Sequence, residues 1–302
     1  MKKKSLRERI LAIGGSGFIG SNFLKQKLSY EIIAPTHQEL DIVNWEQLKR
    51  IFQITRPDIV INFAAHRNAN TAELQRGNKQ GSVWKTNVEG VRNISRLCNR
   101  EKCFLIHIST DMVFSGSKDN PGPYIETTLP ENKLRSVSWY GWTKAEGERA
   151  LLDKKKVAII RIGNVTKSIY DPGLDYVGKI AYLYDHNQLY PLFSDQYLTL
   201  TYIPTLFQAI HALLRLKIGG VYHVASKNLF TPHALGKYLI QKIRKKNIVL
   251  ASMSIHEYLD KFPHRYPKYG GLANDITEQK LGIKFLSWEE IVDIFIDKTE
   301  SF

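Results

Sequence analysis

A short strand that runs into three glycines spaced by threes constrains this 302-residue chain more than any other feature. Arg9-Ile10-Leu11-Ala12-Ile13 is an apolar run, and Gly14-Gly15-Ser16-Gly17-Phe18-Ile19-Gly20 follows it. Ser21 to Leu28 then continues as an amphipathic segment with Ile19, Phe23 and Leu28 as its apolar positions. The order reads strand, tight turn, helix. A side chain in such a turn would keep a pyrophosphate away from the backbone and from the free N–H groups that open the helix. Gly14, Gly17 and Gly20, with Phe18 and Ile19 between them, are therefore expected to hold a dinucleotide. A plain glycine turn would look the same by itself; the alternation that this one opens favours the binding reading.

That alternation runs over half the chain. Tyr30 to Ala34 reads as a second strand, and Asn44 with Gln47 resembles a capping box that starts a helix carrying Trp45, Leu48 and Phe52 on one face. Asp58 to Phe63 is near-continuously apolar, as a strand buried on both faces requires. A helix from Gly81 to Asn99, a strand from Phe104 to Ser109, a helix from Tyr140 to Leu152 and a strand from Val157 to Ile162 complete the series. Such a series predicts right-handed crossovers and a doubly wound parallel sheet of the Rossmann type, with helices on both faces.

Beyond Arg161 the pattern loosens. Thr199 to Ile203 and Val221 to Val224 read as strands, and Leu206 to Leu216 as a helix. Thr231-Pro232 opens a further helix, and Ser287 with Glu290 caps the last one. The expectation is a dinucleotide domain over 1–165, to which 199–225 returns, and a smaller mixed α/β substrate lobe from 166–198 and 226–302.

Composition narrows the partners. With 43% hydrophobic and 24% charged residues the chain reads as a soluble globular protein, and no apolar run approaches a membrane span. The basic Met1 to Ser5 stretch leads only into a strand and the glycine turn, which does not read as a signal peptide. Cys98 and Cys103 have no metal-spaced companions and read as reduced thiols in a cytoplasmic protein, so no metal site is expected. The formal charge of +14 sits in short clusters, Lys2 to Lys4, Lys154 to Lys156 and Lys242 to Lys246, without interleaved aromatics. Such clusters suit anionic small molecules; neither nucleic acid nor membrane insertion is expected.

Two pieces carry chemistry. Ser109-Thr110-Asp111 ends a strand, and Tyr140-Gly141-Trp142-Thr143-Lys144 puts Tyr140 and Lys144 on one face of the next helix. Tyr238 and Lys242 share that spacing, but Leu235 and Leu239 around them point to packing.

With these residues the chain resembles the extended short-chain dehydrogenase/reductases, and among them the dTDP-4-dehydrorhamnose reductases. Matching residues are Gly14, Gly17 and Gly20; Leu40-Asp41-Ile42; Pro57 to Ala65; Asn87 to Gly90; Ile108 to Phe114; Pro123 to Glu126; and Tyr140 to Glu148. The match continues through Asp195-Gln196 to Thr201-Tyr202, Gly220 to His223 and Gly282 to Trp288. The resemblance implies that Tyr140 is the acid, assisted by Lys144 and Thr110, and that Lys144 also holds the nicotinamide ribose. It implies cofactor contacts from Asp41, Ile42, Ala64, Ala65 and Asn87, and substrate contacts from Asp111, Asn164 and Gln196. The physics agrees: an ammonium lowers the cost of a phenolate, and hydride arriving on a carbonyl leaves charge on oxygen that an acid and a hydroxyl must meet.

The implied activity is NADPH-dependent reduction of a nucleotide-diphospho-4-keto-6-deoxysugar in cell-surface polysaccharide synthesis. Three departures bear on it. Met112 stands where related dehydratases carry a proton-transferring Glu, which argues against water elimination. Leu200 and Thr205 replace the Pro and Asp usual in these reductases. Arg161-Ile162-Gly163-Asn164 is similar to an epimerase arrangement in which an Asn meets the substrate diphosphate. A nucleotide-sugar C4-epimerase therefore stays open, as does a non-catalytic NADP-binding regulatory subunit on the same fold. Arg67, a charge beside the Asn62 to His66 loop, reads equally well as a solvated loop residue. The second strand runs into Ala34-Pro35-Thr36-His37 with no carboxylate before Glu39, so NADP(H) is expected over NAD(H), with His37 near the 2′-phosphate. The oligomeric state is left open, a homodimer included.

Overall fold

The computed structural model describes residues 7–170, 175–245, 247–262 and 266–299; the Lys2 to Lys4 run and Lys246 lie outside them. The described chain forms two compact units. The first contains the residues up to Ser109, Trp139–Ile160 and Ile210–Val221. The second contains Thr110–Ser138, Arg161–Ala209 and the residues from Tyr222 onward.

In the first unit β1 (Arg9–Ile13), α1 (Phe18–Phe23), β2 (Glu31–Ile33), α2 (Trp45–Thr55) and β3 (Ile59–Asn62) alternate. They are followed by α3 (Ala69–Glu73), α4 (Ser82–Trp84), a π-helical stretch (Lys85–Gly90), α5 (Val91–Glu101) and β4 (Phe104–Thr110). After the 110–138 segment come α6 (Trp139–Arg149) and β5 (Val157–Ile162). The main sheet has the order β2-β1-β3-β4-β5-β9, where β9 is Gly220–Val224. β1 pairs in parallel with β2 and β3, and β3 with β4, from Ile59 against Phe104 to Asn62 against His107. Every residue of β3 and β4 is buried, which explains why both read as apolar runs rather than as alternating strands. Leu48 and Phe52 of α2 and Ile94 and Leu97 of α5 close one face of this core over Leu11, Val60 and Leu105.

Two helices differ from expectation. α1 stops at Phe23, not Leu28, because Gly20 and Phe23 are its buried positions and Leu24 already faces solvent. The helix expected over 81–99 is broken into α4, the π-helical stretch and α5. Gly147 of α6 packs against this break: a Cβ there would lie 2.4 Å from the Asn87 carbonyl oxygen, so α6 approaches the widened turn closely. α2 carries half of the expected capping box. Asn44 accepts from the Gln47 N–H, while the Gln47 side chain turns to the Asp41 N–H.

The second unit contains β6 (Asn164–Thr166), α7 (Tyr176–Asp185), β7 (Leu192–Phe193) and β8 (Leu200–Tyr202), which leads into α8 (Ile203–Leu216). After β9 come α9 (Pro232–Arg244), β10 (Ser252–Met253), α10 (Ile255–Leu259), α11 (Asp275–Leu281) and α12 (Trp288–Asp297). β6 pairs with β8 and β7 with β10, both in parallel. Val177 and Ile180 of α7, Leu235 and Leu239 of α9, and Ile291, Val292 and Phe295 of α12 form its core. The Ser287–Glu290 capping box is present at the start of α12.

The division does not fall at residue 165. The segment 110–138, which sequence reading left with the dinucleotide domain, is stitched into the second unit by main-chain bonds. Gly122 N–H donates to Tyr269 O, Tyr124 N–H to Gly271 O and Ala273 N–H to Tyr124 O. From the expected 199–225 return, only 210–221 counts with the first unit, and β8 pairs with β6.

Candidate active site

Gly14 takes a φ of +77°, and a Cβ on it would lie 2.6 Å from Ala64 N. A Cβ on Gly20 would lie 2.4 Å from Gly14 O and one on Gly17 3.3 Å from the same oxygen. The turn is therefore closed against itself and against the loop after β3, which bears Ala64 and Ala65. Gly17 provides no side-chain cap for α1, which begins at Phe18 directly after the turn. At the end of β2, Glu39 is turned back on its own loop, accepting from Thr36 N–H at 2.7 Å and from the Thr36 hydroxyl at 2.9 Å. Those bonds hold its carboxyl below the usual range. His37 is exposed beside it, and Asp41 accepts from Val43 N–H. The first carboxylate after β2 is thus occupied locally.

The other half of the site in this unit is built on α6. Trp139 is buried, stacks on Trp84 at 5.9 Å and has its main-chain N–H held by the Glu73 carboxylate at 2.8 Å. This anchor fixes the start of the helix and leaves Tyr140 partly exposed in its first turn. Thr143 donates to Tyr140 O and accepts from the Asn87 amide at 3.0 Å. Asn87 in turn bonds both His66 N–H and His66 O, which ties the π-helical stretch to the loop after β3. Arg67, next along that loop, is exposed.

Lys144 is only 1% exposed. Its Nζ donates to Ile108 O at 2.8 Å and meets His107 Nε2 at 3.2 Å. Burial pulls its ammonium down to about 8, opposed by the Glu148 carboxylate one turn along α6. Glu148 is itself buried and accepts from the Ser109 hydroxyl. His107 is held neutral by burial and by the neighbouring Lys144. Of these groups, sequence reading gives Lys144 a role, names Ser109 and Glu148 only as members of their motifs, and assigns nothing to His107. A histidine inside an otherwise apolar strand was the available signal.

The remaining candidates lie in the second unit. Thr110, the last residue of β4, accepts from Met112 N–H and donates to Asp111 Oδ1 at 3.1 Å. Burial raises the Asp111 carboxyl to about 6. Asn164 is half-buried and its amide reaches Thr199 O at 3.4 Å. The Gln196 amide is buried and donates to Pro267 O at 2.9 Å. Arg161 is fully buried over the Phe114 ring and donates to Thr128 O. Tyr238 lies between helices: its hydroxyl donates to Asp293 at 3.0 Å, and its ring packs edge-on against Trp288.

The raised Asp111 value makes a test of stability against pH. The folded state holds the proton more tightly than the unfolded chain, whose value is near 3.8. The contribution to stability is therefore full below about 4 and is lost as pH rises through about 6. Asp111→Asn should stabilise the protein at pH 8, by at most about 3 kcal/mol, and leave it unchanged at pH 4. Denaturant unfolding at the two pH values checks this.

Among the described residues no helix is long and apolar enough to cross a membrane, and no cluster of His, Cys, Asp or Glu is arranged to hold a metal ion. Cys98 and Cys103 are both buried and unbridged.

Comparison with known proteins gives a consistent picture. The family described as RmlD substrate binding domain matches residues 8–301. A dTDP-4-dehydrorhamnose reductase of Aggregatibacter actinomycetemcomitans is 32% identical over 62% of this chain, a match that spans 61% of that relative's length. The spore coat polysaccharide biosynthesis protein SpsK of Bacillus subtilis is 26% identical over 97% of this chain and 98% of its own. The crystal structure of a dTDP-4-dehydrorhamnose reductase from Bacillus anthracis in complex with NADP superposes with a TM-score of 0.84 at 25% identity, covering 97% of this chain and 100% of that one.

Proposed function

The chain belongs to the RmlD substrate binding domain family, an extended short-chain dehydrogenase/reductase, and from that membership we propose that it is an NADPH-dependent reductase of a nucleotide-diphospho-4-keto-6-deoxysugar. The observation that carries the reading is the pairing, within one compact unit, of a glycine turn with no room for a Cβ at Gly14 or Gly20 with a helix bearing a partly exposed tyrosine one turn before a buried lysine. The relatives named for dTDP-4-dehydrorhamnose reduction and for spore coat polysaccharide synthesis support the substrate class and a place in surface-polysaccharide formation.

Gly14, Gly17 and Gly20, with Phe18 and Ile19, hold the pyrophosphate. Asp41, Ile42, Ala64, Ala65 and Asn87 line the rest of the cofactor. The dinucleotide supplies the hydride. Tyr140 gives its proton to the carbonyl oxygen as charge builds there, and the Lys144 ammonium stabilises the phenolate left behind. Thr110, whose hydroxyl is given to Asp111, is assigned as an assisting hydroxyl donor. Asp111, Asn164 and Gln196 are assigned to the sugar nucleotide.

The test is a panel of nucleotide-4-keto-6-deoxysugars with NADPH. One-for-one loss of the reduced cofactor's absorbance supports the reductase. Sugar turnover with no net absorbance change would make the protein an epimerase instead, and tight NADPH binding without turnover of any sugar would make it a regulatory subunit. Cofactor choice gives a second measurement. With Glu39 tied to Thr36, its carboxylate is taken up by its own loop rather than offered to the ribose hydroxyls, and NADPH should bind more tightly than NADH. His37→Asp should shift the preference toward NADH by adding repulsion against the phosphate. Equal binding of the two by the unmodified protein would remove the basis for NADPH.

A further inference from the structure

A chain of hydrogen bonds inside the first unit fixes a proton that the catalytic reading leaves unassigned. It begins at the Ala64 N–H, which can only donate and does so to Asn62 Oδ1 at 3.0 Å. That bond sets the orientation of the Asn62 amide, because the reverse orientation would put two donors face to face. The other end of the amide, Nδ2, lies 3.1 Å from His107 Nδ1. An NH2 group needs a bare nitrogen there. A neutral imidazole with Nδ1 bare carries its proton on Nε2, and Nε2 lies 3.2 Å from Lys144 Nζ. Asn62, His107 and Lys144 are each 1% exposed or less, so solvent offers no substitute partner.

An ammonium facing that Nε2–H is a donor against a donor. The amine is not: it still donates to Ile108 O and turns its lone pair to the imidazole. We propose that His107 is a positioning residue for Lys144, its tautomer set through Asn62 by the Ala64 N–H, and that it favours the proton-poor form of the lysine. The inference rests on the catalytic role assigned to Lys144 for its consequence, but not for its geometry. The consequence is that Lys144 can release a proton close to working pH, and that the loop after β3, where the cofactor is assigned, is wired to the lysine's charge.

Other groups around Lys144 do not reproduce this. Glu148, on the same helix, favours the ammonium. Lys85 and Glu89, on the π-helical stretch packed against α6, are partly exposed to solvent, and Glu73 of α3 is turned to the Trp139 N–H.

The experiment reads the tautomer first. In protein labelled with 15N-histidine, nitrogen–proton correlation spectra should show His107 neutral, with Nδ1 bare and the proton on Nε2. Asn62→Asp keeps an acceptor for the Ala64 N–H but presents a second acceptor to His107, so the proton should move to Nδ1. Nε2 then accepts from the ammonium, and the Lys144 midpoint, followed by its 13Cε shift, should rise by about one unit or more. Should Asn62→Asp not fold, His107→Leu gives the same readout, since removing the facing donor also raises the midpoint. A wild-type spectrum with the proton on Nδ1 overturns the proposal. So does a Lys144 midpoint that stays put when the tautomer inverts or the imidazole is removed. None of these readings requires turnover, so a failed substrate panel and a failed tautomer assignment are separate results.

Discussion

Replacing Tyr140 with Phe is expected to lower turnover by roughly 10²- to 10⁴-fold while leaving NADPH affinity nearly unchanged, the usual worth of a positioned general acid. The phenol makes its decisive contact with charge that exists only as hydride arrives, so its loss belongs in turnover and not in ground-state binding. The phenylalanine ring keeps the packing of the first turn of α6, and Thr143 bonds the main-chain oxygen of residue 140 whichever ring stands there. Lys144→Ala should behave differently, weakening cofactor binding as well as turnover, because one group is proposed both to hold the ribose and to ease the proton of Tyr140. Tyr238→Phe is the control. It shares the spacing to a lysine, yet its hydroxyl is spent on Asp293 between α9 and α12. Steady-state kinetics with a nucleotide-4-ketosugar and fluorescence titration of NADPH separate the three. Activity that survives Tyr140→Phe but not Tyr238→Phe, in folded proteins, would move the catalytic helix to α9.

Gly20→Val should be nearly as damaging, but in binding. Its Cβ would fall 2.4 Å from Gly14 O and 2.8 Å from Gly15 Cα, both main-chain atoms that cannot swing aside. The turn must open, at a cost typical of overpacking, about 1–3 kcal/mol. Expressed in the cradle, that is a loss of NADPH affinity of roughly 10- to 100-fold. Calorimetric titration of the purified variant checks it, alongside a denaturation curve to show that the fold survives. Unchanged NADPH affinity would mean that the pyrophosphate does not lie on this turn.

The contrast between these two sites marks how far the amino-acid sequence could be read. The glycine cradle was legible because its constraint is local: spacing, strand and helix are all within Arg9 to Phe23. Tyr140 and Lys144 were legible once helix periodicity put them one turn apart. What could not be read was anything set by distant partners. The break at Asn87 lies where Gly147 arrives from another helix, and no local propensity in Lys85 to Gly90 announces it. The tie between Glu39 and Thr36 was within reach, but whether a side chain points home or toward a ligand is decided by atoms rather than by residue type. Gln196 shows the same, since its amide is taken by Pro267, 71 residues away. The 110–138 segment joined the second unit for a related reason: its main-chain partners are Tyr269 to Ala273, beyond any contiguous boundary.

The return of Ile210–Val221 to the first unit has a consequence for how this protein is born. A ribosome that has released everything through β5 has delivered the glycine turn and the catalytic helix, but not β9, the neighbour of β5 in the sheet. Until then β5 stands as an open edge, with main-chain groups able to pair with another nascent chain. At ordinary elongation rates, roughly 5–20 residues per second, the exposure lasts several seconds while the intervening 161–209 segment is made. The first unit therefore cannot close its sheet until the 161–209 segment of the second unit has been made, and the residues from Tyr222 onward are added only after that.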